Sequence, residues 1–232
     1  MLTPKVSVIT TADGSSTLFH EEVGEHYHSI NGAFQESLHV FVQNGFSYYH
    51  ELSPLKNISI LEVGFGTGLN FLLSMEFAIQ HKIALKYVGL EAYPLPLAVL
   101  TSTKYEDLLQ DENTWNNYIN IYSEAYQTNV ELGNNIQLKV EETELLKFDT
   151  NEQFDIIYFD AFAKAHQSEM WTEESIAKAC SFLKDKGIFV TYSVTGDLKR
   201  TLKGLGFEIE RPAGAAGKRE MMRATFNQNN AL

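Results

Sequence analysis

Only one cysteine, Cys180, and five prolines occur in this chain of 232 residues. A lone thiol excludes an internal disulfide and a thiolate zinc site, and its place in an apolar helical stretch fits buried packing. Long hydrophobic runs are missing too. No segment approaches the roughly eighteen apolar residues that a membrane-spanning helix needs, and the start, MLTPKVSVITTADG, has neither the basic flank nor the apolar stretch of a secretory signal. The expectation is a cytoplasmic protein with no membrane partner. Positive charge is scarce: 18 Lys and Arg stand against 30 Asp and Glu, a net charge of -12. That argues against a generally basic nucleic-acid-binding surface, because phosphate binding needs cations. The charge is uneven, however. Between Lys199 and Arg223 lie seven Lys or Arg and three Glu, whereas residues 1–60 hold two Lys and six acids. A local basic face near the C-terminus therefore stays open.

What is present is enough apolar material, 44% of residues, for one globular domain and a small appendage. From residue 58 onward, short β-rich runs alternate with helical segments, as in a parallel sheet covered by helices on both faces. Strands are expected at 58–63, 86–91, 136–140, 154–160, 187–193, 207–211 and 219–226. Seven strands, mostly continuous apolar runs, match a Rossmann-like α/β fold of the class I methyltransferase type with a mostly parallel sheet. Helices are expected within 67–80, 96–110, 171–183 and 195–205. Residues 111–135 are polar, rich in Asn and dotted with aromatics, and read as a partly helical insertion. In residues 1–57, Asp13-Gly14 separates two β-prone runs and predicts a hairpin. These residues are expected to form an extension, and 58–232 the main domain.

The sharpest local signal is LEVGFGTGLNFLL, in which a strand runs into Gly64, Phe65, Gly66, Thr67 and Gly68 and then into a helix containing Asn70. Glycines allow a tight turn and close backbone approach to a ligand. Where a dinucleotide fingerprint would have its third glycine, this chain has Leu69, so the spacing is Gly-x-Gly-x-Gly and favours S-adenosylmethionine. Glu91 ends the second expected strand, 23 residues after Gly68, where a carboxylate can accept from both ribose hydroxyls. Glu141 and Glu142 follow the third strand, and Glu142 is favoured as the acceptor for an adenine amino group.

Asp160 closes the fourth strand at the carboxyl edge where ligands of open α/β sheets collect. An isolated carboxylate ending a buried strand is costly to desolvate without a partner, which favours a ligand-facing position. Phe162, two residues on, is placed to stack on a planar base. His20, Glu21, Glu22, Glu25, His26 and His28 form a conspicuous cluster, but their spacing is not that of a helical metal pair, and no metal site is expected.

The segments GFGTGLN (64–70), FDAFAKAHQSEMW (159–171), GKREMM (217–222) and YHSINGAFQESLHVF (27–41) together resemble the methyltransferase component of the MnmC/MnmD family of tRNA wobble-uridine enzymes. The likeness spans most of the chain with four motifs in the same order, and departs where Lys164 stands in place of the usual proline. The resemblance implies methylation of the aminomethyl group at position 5 of uridine or 2-thiouridine at the wobble base. It also implies S-adenosylmethionine as donor, the tRNA anticodon stem-loop as partner and a separate oxidase acting upstream. Matched positions put the donor loop on Gly64, Gly66 and Gly68, and the substrate-facing pair on Asp160 and Phe162. His28, Asn31 and Glu36 are expected to roof the acceptor pocket, with Lys218 and Arg219 as tRNA phosphate contacts. Two rivals stand beside this reading. An aminopropyltransferase of the spermidine synthase type shares the fold, but its second acid after the strand-ending Asp has no counterpart between Ala161 and His166. A non-catalytic S-adenosylmethionine-binding or RNA-docking protein would have little use for Asp160.

Overall fold

The computed structural model describes residues 4–215 and 217–227, so the first three residues of the expected extension and the last five of the expected main domain lie outside the described residues. The hairpin expected around Asp13-Gly14 forms: β1 (Val6–Thr10) and β2 (Ser16–His20) pair antiparallel, and β3 (Glu25–His26) joins β2. Asp13 fixes the turn, its Oδ1 accepting from Thr11 Oγ1 at 2.6 Å and from Ser15 N at 3.0 Å.

The main sheet comprises β4 (Asn57–Val63), β5 (Ala84–Glu91), β6 (Val130–Glu131), β7 (Ile136–Glu142), β8 (Phe154–Phe159), β9 (Leu183–Thr191), β10 (Phe207–Glu210) and β11 (Met222–Phe226). Its spatial order is β10-β11-β9-β8-β4-β5-β7-β6. The five central strands run parallel, while β11 is antiparallel to both neighbours and β6 is antiparallel to β7. The expected count of seven is corrected to eight. The added strand, β6, has two residues and lies in the insertion, too short to leave a periodic signal. All six residues of β8 are buried, as its unbroken apolar run requires of a strand covered on both faces.

Alternation along β8 sends Ile156 and Tyr158 into one apolar cluster and Ile157 and Phe159 into the other, which Phe154 also joins because an irregularity breaks the register between Phe154 and Ile156. The first cluster is completed by a helical run the sequence reading did not anticipate: α1 (Ala33–Ser37), a π-helical stretch Leu38–Ser47, and α2 (Tyr48–Leu52). At its end the Tyr48 N–H donates to the carbonyl of Gln43, five residues back. Val40, Phe41 and Phe46 from this run share a core with Ile60, Phe71 and Tyr158, so much of the expected extension belongs to the helical layer on the sheet.

The other helices are α3 (Leu69–His81), α4 (Leu97–Thr101), α5 (Glu112–Ala125), α6 (Glu173–Cys180) and α7 (Gly196–Gly204). The helix expected through 96–110 breaks after α4, where Lys104 adopts a φ of 54°, and resumes as a short 3₁₀ turn, Tyr105–Leu108. In α5, Trp115, Tyr118 and Tyr122 are buried. The Tyr118 hydroxyl donates to Thr67 O at 3.0 Å and that of Tyr122 to Leu95 O at 2.9 Å. The insertion thus braces the glycine loop from behind.

Asp155, 2% exposed, ties the opposite end of β8 to β4. Its Oδ2 accepts from Ser59 N at 2.8 Å, Ser59 Oγ at 2.7 Å and Lys184 Nζ at 2.9 Å, and its Oδ1 from the Tyr49 hydroxyl at 3.2 Å. Asp155→Ala strands these donors and should lower unfolding free energy by about 3 kcal/mol. Asp155→Asn, which keeps part of the network, should lose less. Urea denaturation of both variants measures the difference.

Candidate active site

Three loops meet at the carboxyl edge of the sheet, where the chain order reverses about β4: toward β5 and β7 on one side, and toward β8 and β9 on the other. After β4 the backbone turns at Gly64, with φ of 89°, and a Cβ there would lie 2.5 Å from the carbonyl oxygen of Asp160. Only glycine permits both the conformation and the contact. The turn is held from β5. Glu91 Oε2 accepts from Gly66 N at 2.8 Å, and Oε1 from Tyr93 N at 2.9 Å. Burial raises the Glu91 pKa against the lowering effect of these N–H groups. Each oxygen keeps a lone pair for a ligand hydroxyl.

Behind the loop, Asn70 at the start of α3 joins two carboxyl groups. Its Nδ2 donates to Glu62 Oε1 at 2.7 Å and to Asp160 Oδ2 at 2.8 Å. Glu62 is fully buried and also accepts from the Tyr87 hydroxyl at 2.8 Å. Burial and the nearby Asp160 push its pKa well above the ordinary value. Asp160 itself is pushed up to about 7, first by burial and then by Glu36, against the opposing influence of Asn70 and Lys218. Asp160 Oδ1 has no hydrogen-bond donor among the described residues.

A cavity of about 790 Å³ opens on Gly64, Gly66, Glu91, Asp160 and the turn at Thr143 to Leu146. Beside it lies a smaller one of about 330 Å³, walled by His28, Glu36, Phe162, Tyr192 and Lys218. Tyr27, Ala161 and Phe162 line both. The Tyr27 and Phe162 rings meet edge to face at 5.1 Å. The Phe162 loop is fastened by three bonds: Trp171 Nε1 to Phe162 O at 2.7 Å, Tyr192 hydroxyl to Ala161 O at 2.9 Å, and Phe162 N to Gln167 Oε1 at 3.1 Å. Lys164 pairs with Asp197 at 2.6 Å.

Most of the residues singled out from sequence converge here, with some changes of role. Thr67 is buried with its hydroxyl against that of Tyr105 at 3.1 Å, and Phe65 anchors the loop among Phe71, Tyr87 and Tyr118. Gly68 starts α3 in the left-handed region. The expectation for Glu142 is corrected: its side chain is exposed at the end of β7 and, like Glu141, which pairs with Lys139, stays out of the cavity, whose wall there is Thr143 to Leu146. Lys218 is not a free phosphate contact. Its ammonium pairs with the 5% exposed Glu36 and sits 4.0 Å above the Tyr192 ring. Arg219 and Asn31 are exposed. His28 is buried, with its pKa lowered to about 4 by burial, and so is neutral. His166 bonds Val23 O at 3.1 Å and faces Glu25 at 3.5 Å, joining the Asp160 loop to the hairpin sheet. Glu62, Tyr27 and Tyr192 were not anticipated. A charge inside the apolar strand ISILEV was the available sign for Glu62. Among the described residues no group of three His, Cys, Asp or Glu is placed to hold a metal ion.

Comparison with known proteins decides the class. A family model described as S-adenosyl-L-methionine-dependent methyltransferase matches residues 105–227, more than half of the chain. The chain belongs to this methyltransferase family. Curated relatives include two proteins named tRNA 5-methylaminomethyl-2-thiouridine biosynthesis bifunctional protein MnmC. The one from Campylobacter hominis is 28% identical over 92% of this chain, and the one from Pseudomonas syringae pv. syringae is 31% identical over 86%. The chain spans about a third of their length, 32% and 31% respectively. The crystal structure of MnmC2 from Aquifex aeolicus superposes with a TM-score of 0.75 at 26% identity, covering 97% of this chain and 71% of that one.

The methyltransferase's larger cavity fits S-adenosylmethionine. Gly64, Gly66, Glu91 and Asp160 line it together, and the Glu91 carboxyl, held by Gly66 N and Tyr93 N, keeps acceptor capacity for ligand hydroxyls.

The raised pKa of Asp160 has a consequence for stability. Such a carboxyl takes up a proton on folding, so its contribution is full below the ordinary value of 3.8 and is lost as pH climbs through about 7. Without ligand, Asp160→Asn should therefore gain on the wild type in melting temperature between about pH 5 and about pH 8. Parallel thermal melts across that range check the sign.

Proposed function

We propose that this methyltransferase converts 5-aminomethyluridine, with or without 2-thio, to 5-methylaminomethyluridine at the wobble position of tRNA. The observation that carries the reading is the position of Asp160, a half-buried carboxyl with one oxygen free, beside the wall shared by a donor-sized cavity and a smaller aromatic one. The relatives named for 5-methylaminomethyl-2-thiouridine biosynthesis support this substrate. Residues 58–232 act as the catalytic domain and 1–57 as an extension that roofs it through Tyr27 and His28. The setting is cytoplasmic, and a separate oxidase acts upstream.

When bound, S-adenosylmethionine supplies a sulfonium methyl as the electrophile. Gly64, Gly66 and Glu91 hold it, and the buried carboxyl groups favour its positive charge. The acceptor arrives as an alkylammonium and must lose a proton before its lone pair can attack. Asp160 Oδ1 receives that proton or a hydrogen bond from the amine. A pKa near 7 suits both acts, since the carboxylate is present in quantity yet basic enough to take a proton. Asn70 fixes the carboxyl plane through Oδ2. Phe162 and Tyr192 flank the base, and excluding water keeps nitrogen aligned with the methyl carbon.

The anticodon stem-loop needs cations. Arg200, Arg211, Lys218 and Arg223 are engaged with Asp197, Glu220, Glu36 and Glu210. Among the described residues of the 199–223 segment, that leaves Lys199, Lys203 and Arg219 for phosphates.

The direct test is incubation with labelled S-adenosylmethionine and tRNA from cells lacking the final methylation, followed by nucleoside mass spectrometry. Label should appear in 5-methylaminomethyluridine or its 2-thio form, and its absence there would overturn the assignment. Asp160→Ala should keep most donor affinity while single-turnover rate falls on the order of 10²-fold or more. A near-normal rate removes Asp160 from the mechanism.

A further inference from the structure

The smaller cavity contains a pair of opposite charges whose function the methyl-transfer chemistry leaves unused. Glu36, on α1, and Lys218, in the loop before β11, are 182 residues apart in sequence and joined by an ion pair. Glu36 Oε1 takes the Lys218 ammonium, and Oε2 accepts from Ser29 N at 2.9 Å. Each carboxylate oxygen retains a lone pair. Of the three ammonium hydrogens, one points to Glu36 and the Tyr192 face takes the near side of the charge at 4.0 Å, which leaves at least one for a ligand. The cavity wall therefore presents an adjacent donor and acceptor between aromatic rings, Phe162 and Tyr192. At about 330 Å³ it suits one ring system and not a stacked pair of bases.

With its 5-substituent turned toward Asp160, a pyrimidine edge meets such a wall in one orientation. Uracil shows O4 as an acceptor beside N3–H as a donor, which complements an ammonium beside a carboxylate. Cytosine shows the reverse, an amino group beside a bare N3, and would set donor against donor and lone pair against lone pair. Resting on the methyltransferase reading above, we infer that Lys218 and Glu36 are the specificity residues for the acceptor base: Lys218 donates to O4 and Glu36 accepts from N3–H of a uracil swung out of its stack. Bases handled by enzymes in this manner are read on the same edge and stacked on aromatic side chains. O4 adjoins C5, so a base held by O4 and N3 directs its 5-aminomethyl arm along the wall toward Ala161 and Asp160. The Asp160 carboxyl already senses both charges, Glu36 raising its pKa and Lys218 lowering it.

The test uses two synthetic anticodon stem-loops that differ only in the wobble base, 5-aminomethyluridine or 5-aminomethylcytidine, with S-adenosylmethionine saturating. The wild-type chain should favour the uridine loop by about 10³-fold in kcat/KM, since a site built to bond one edge leaves its own buried groups unpaired with the other. The double variant Glu36→Gln, Lys218→Gln keeps a hydrogen-bonded pair but can rotate its amides to offer either pattern, and should reduce the preference to about tenfold or less. A purely structural role would slow both loops alike and leave their ratio unchanged, which would overturn the inference, as would equal rates on the two loops in the wild type. Failure of the wild type on the uridine loop and on whole undermethylated tRNA alike would instead overturn the parent reading, and the base assignment with it. Donor affinity by calorimetry should be unaltered in the double variant. A loss there would show that the pair supports the donor site and would contradict the assignment.

Discussion

Glu62 and Asp160 end or nearly end adjacent parallel strands and share the amide of Asn70, Glu62 wholly out of water and Asp160 half-buried at the cavity wall. Two like charges in that setting cannot both ionise cheaply, and the rest of the site reflects this constraint. Tyr87 donates to the deeper acid, Glu62, and Asn70 gives its two hydrogens to the pair. Glu36, close enough to raise the Asp160 pKa, is itself neutralised by Lys218. The outcome is a carboxyl, Asp160, whose protonation is balanced near neutrality and whose free oxygen faces the space where a cationic sulfonium and an amine would meet. An arrangement that is costly when empty of positive charge is well suited to a reaction whose donor and product are both cations.

The acidity of the chain is explained in the same terms. Three carboxyl groups, Glu62, Glu91 and Asp160, are gathered about the glycine loop, while Arg200, Arg211, Lys218 and Arg223 of the C-terminal segment are engaged in ion pairs. Arg223 lies 3.2 Å from the Tyr48 ring centroid and bonds Glu210 at 2.9 Å, fixing the last strand to the helical run that roofs the sheet. Just before it, Lys218 of the GKREMM motif pairs with Glu36 in the wall of the smaller cavity.

The central strands were legible because each is a short apolar run between turn residues, and the donor loop because glycine spacing encodes positive φ directly. The run through residues 33–52 was not legible as a helix. Its π-helical stretch shifts the repeat from four to five residues, and Gly45, where an added Cβ would lie 3.0 Å from Tyr158 Cε1, reads as a break. Glu142 misled because a strand's last residue faces outward or inward by register alone, and here the register turns it to solvent. The pairing of Glu36 with Lys218 lies beyond any local pattern. Asp160 was found because a carboxylate closing an apolar strand is an anomaly on its own, and Glu62 offered the same anomaly one strand away.

The carboxyl groups of the site are held partly protonated until a cation arrives. Calorimetric titration of S-adenosylmethionine into the protein near pH 7, repeated in buffers of different ionisation enthalpy, counts the protons exchanged on binding. The account predicts release of a substantial fraction of a proton per site as the sulfonium draws Asp160 into its ionised form, with little release for neutral S-adenosylhomocysteine. Equal proton exchange for the two ligands, or none for either, would contradict it.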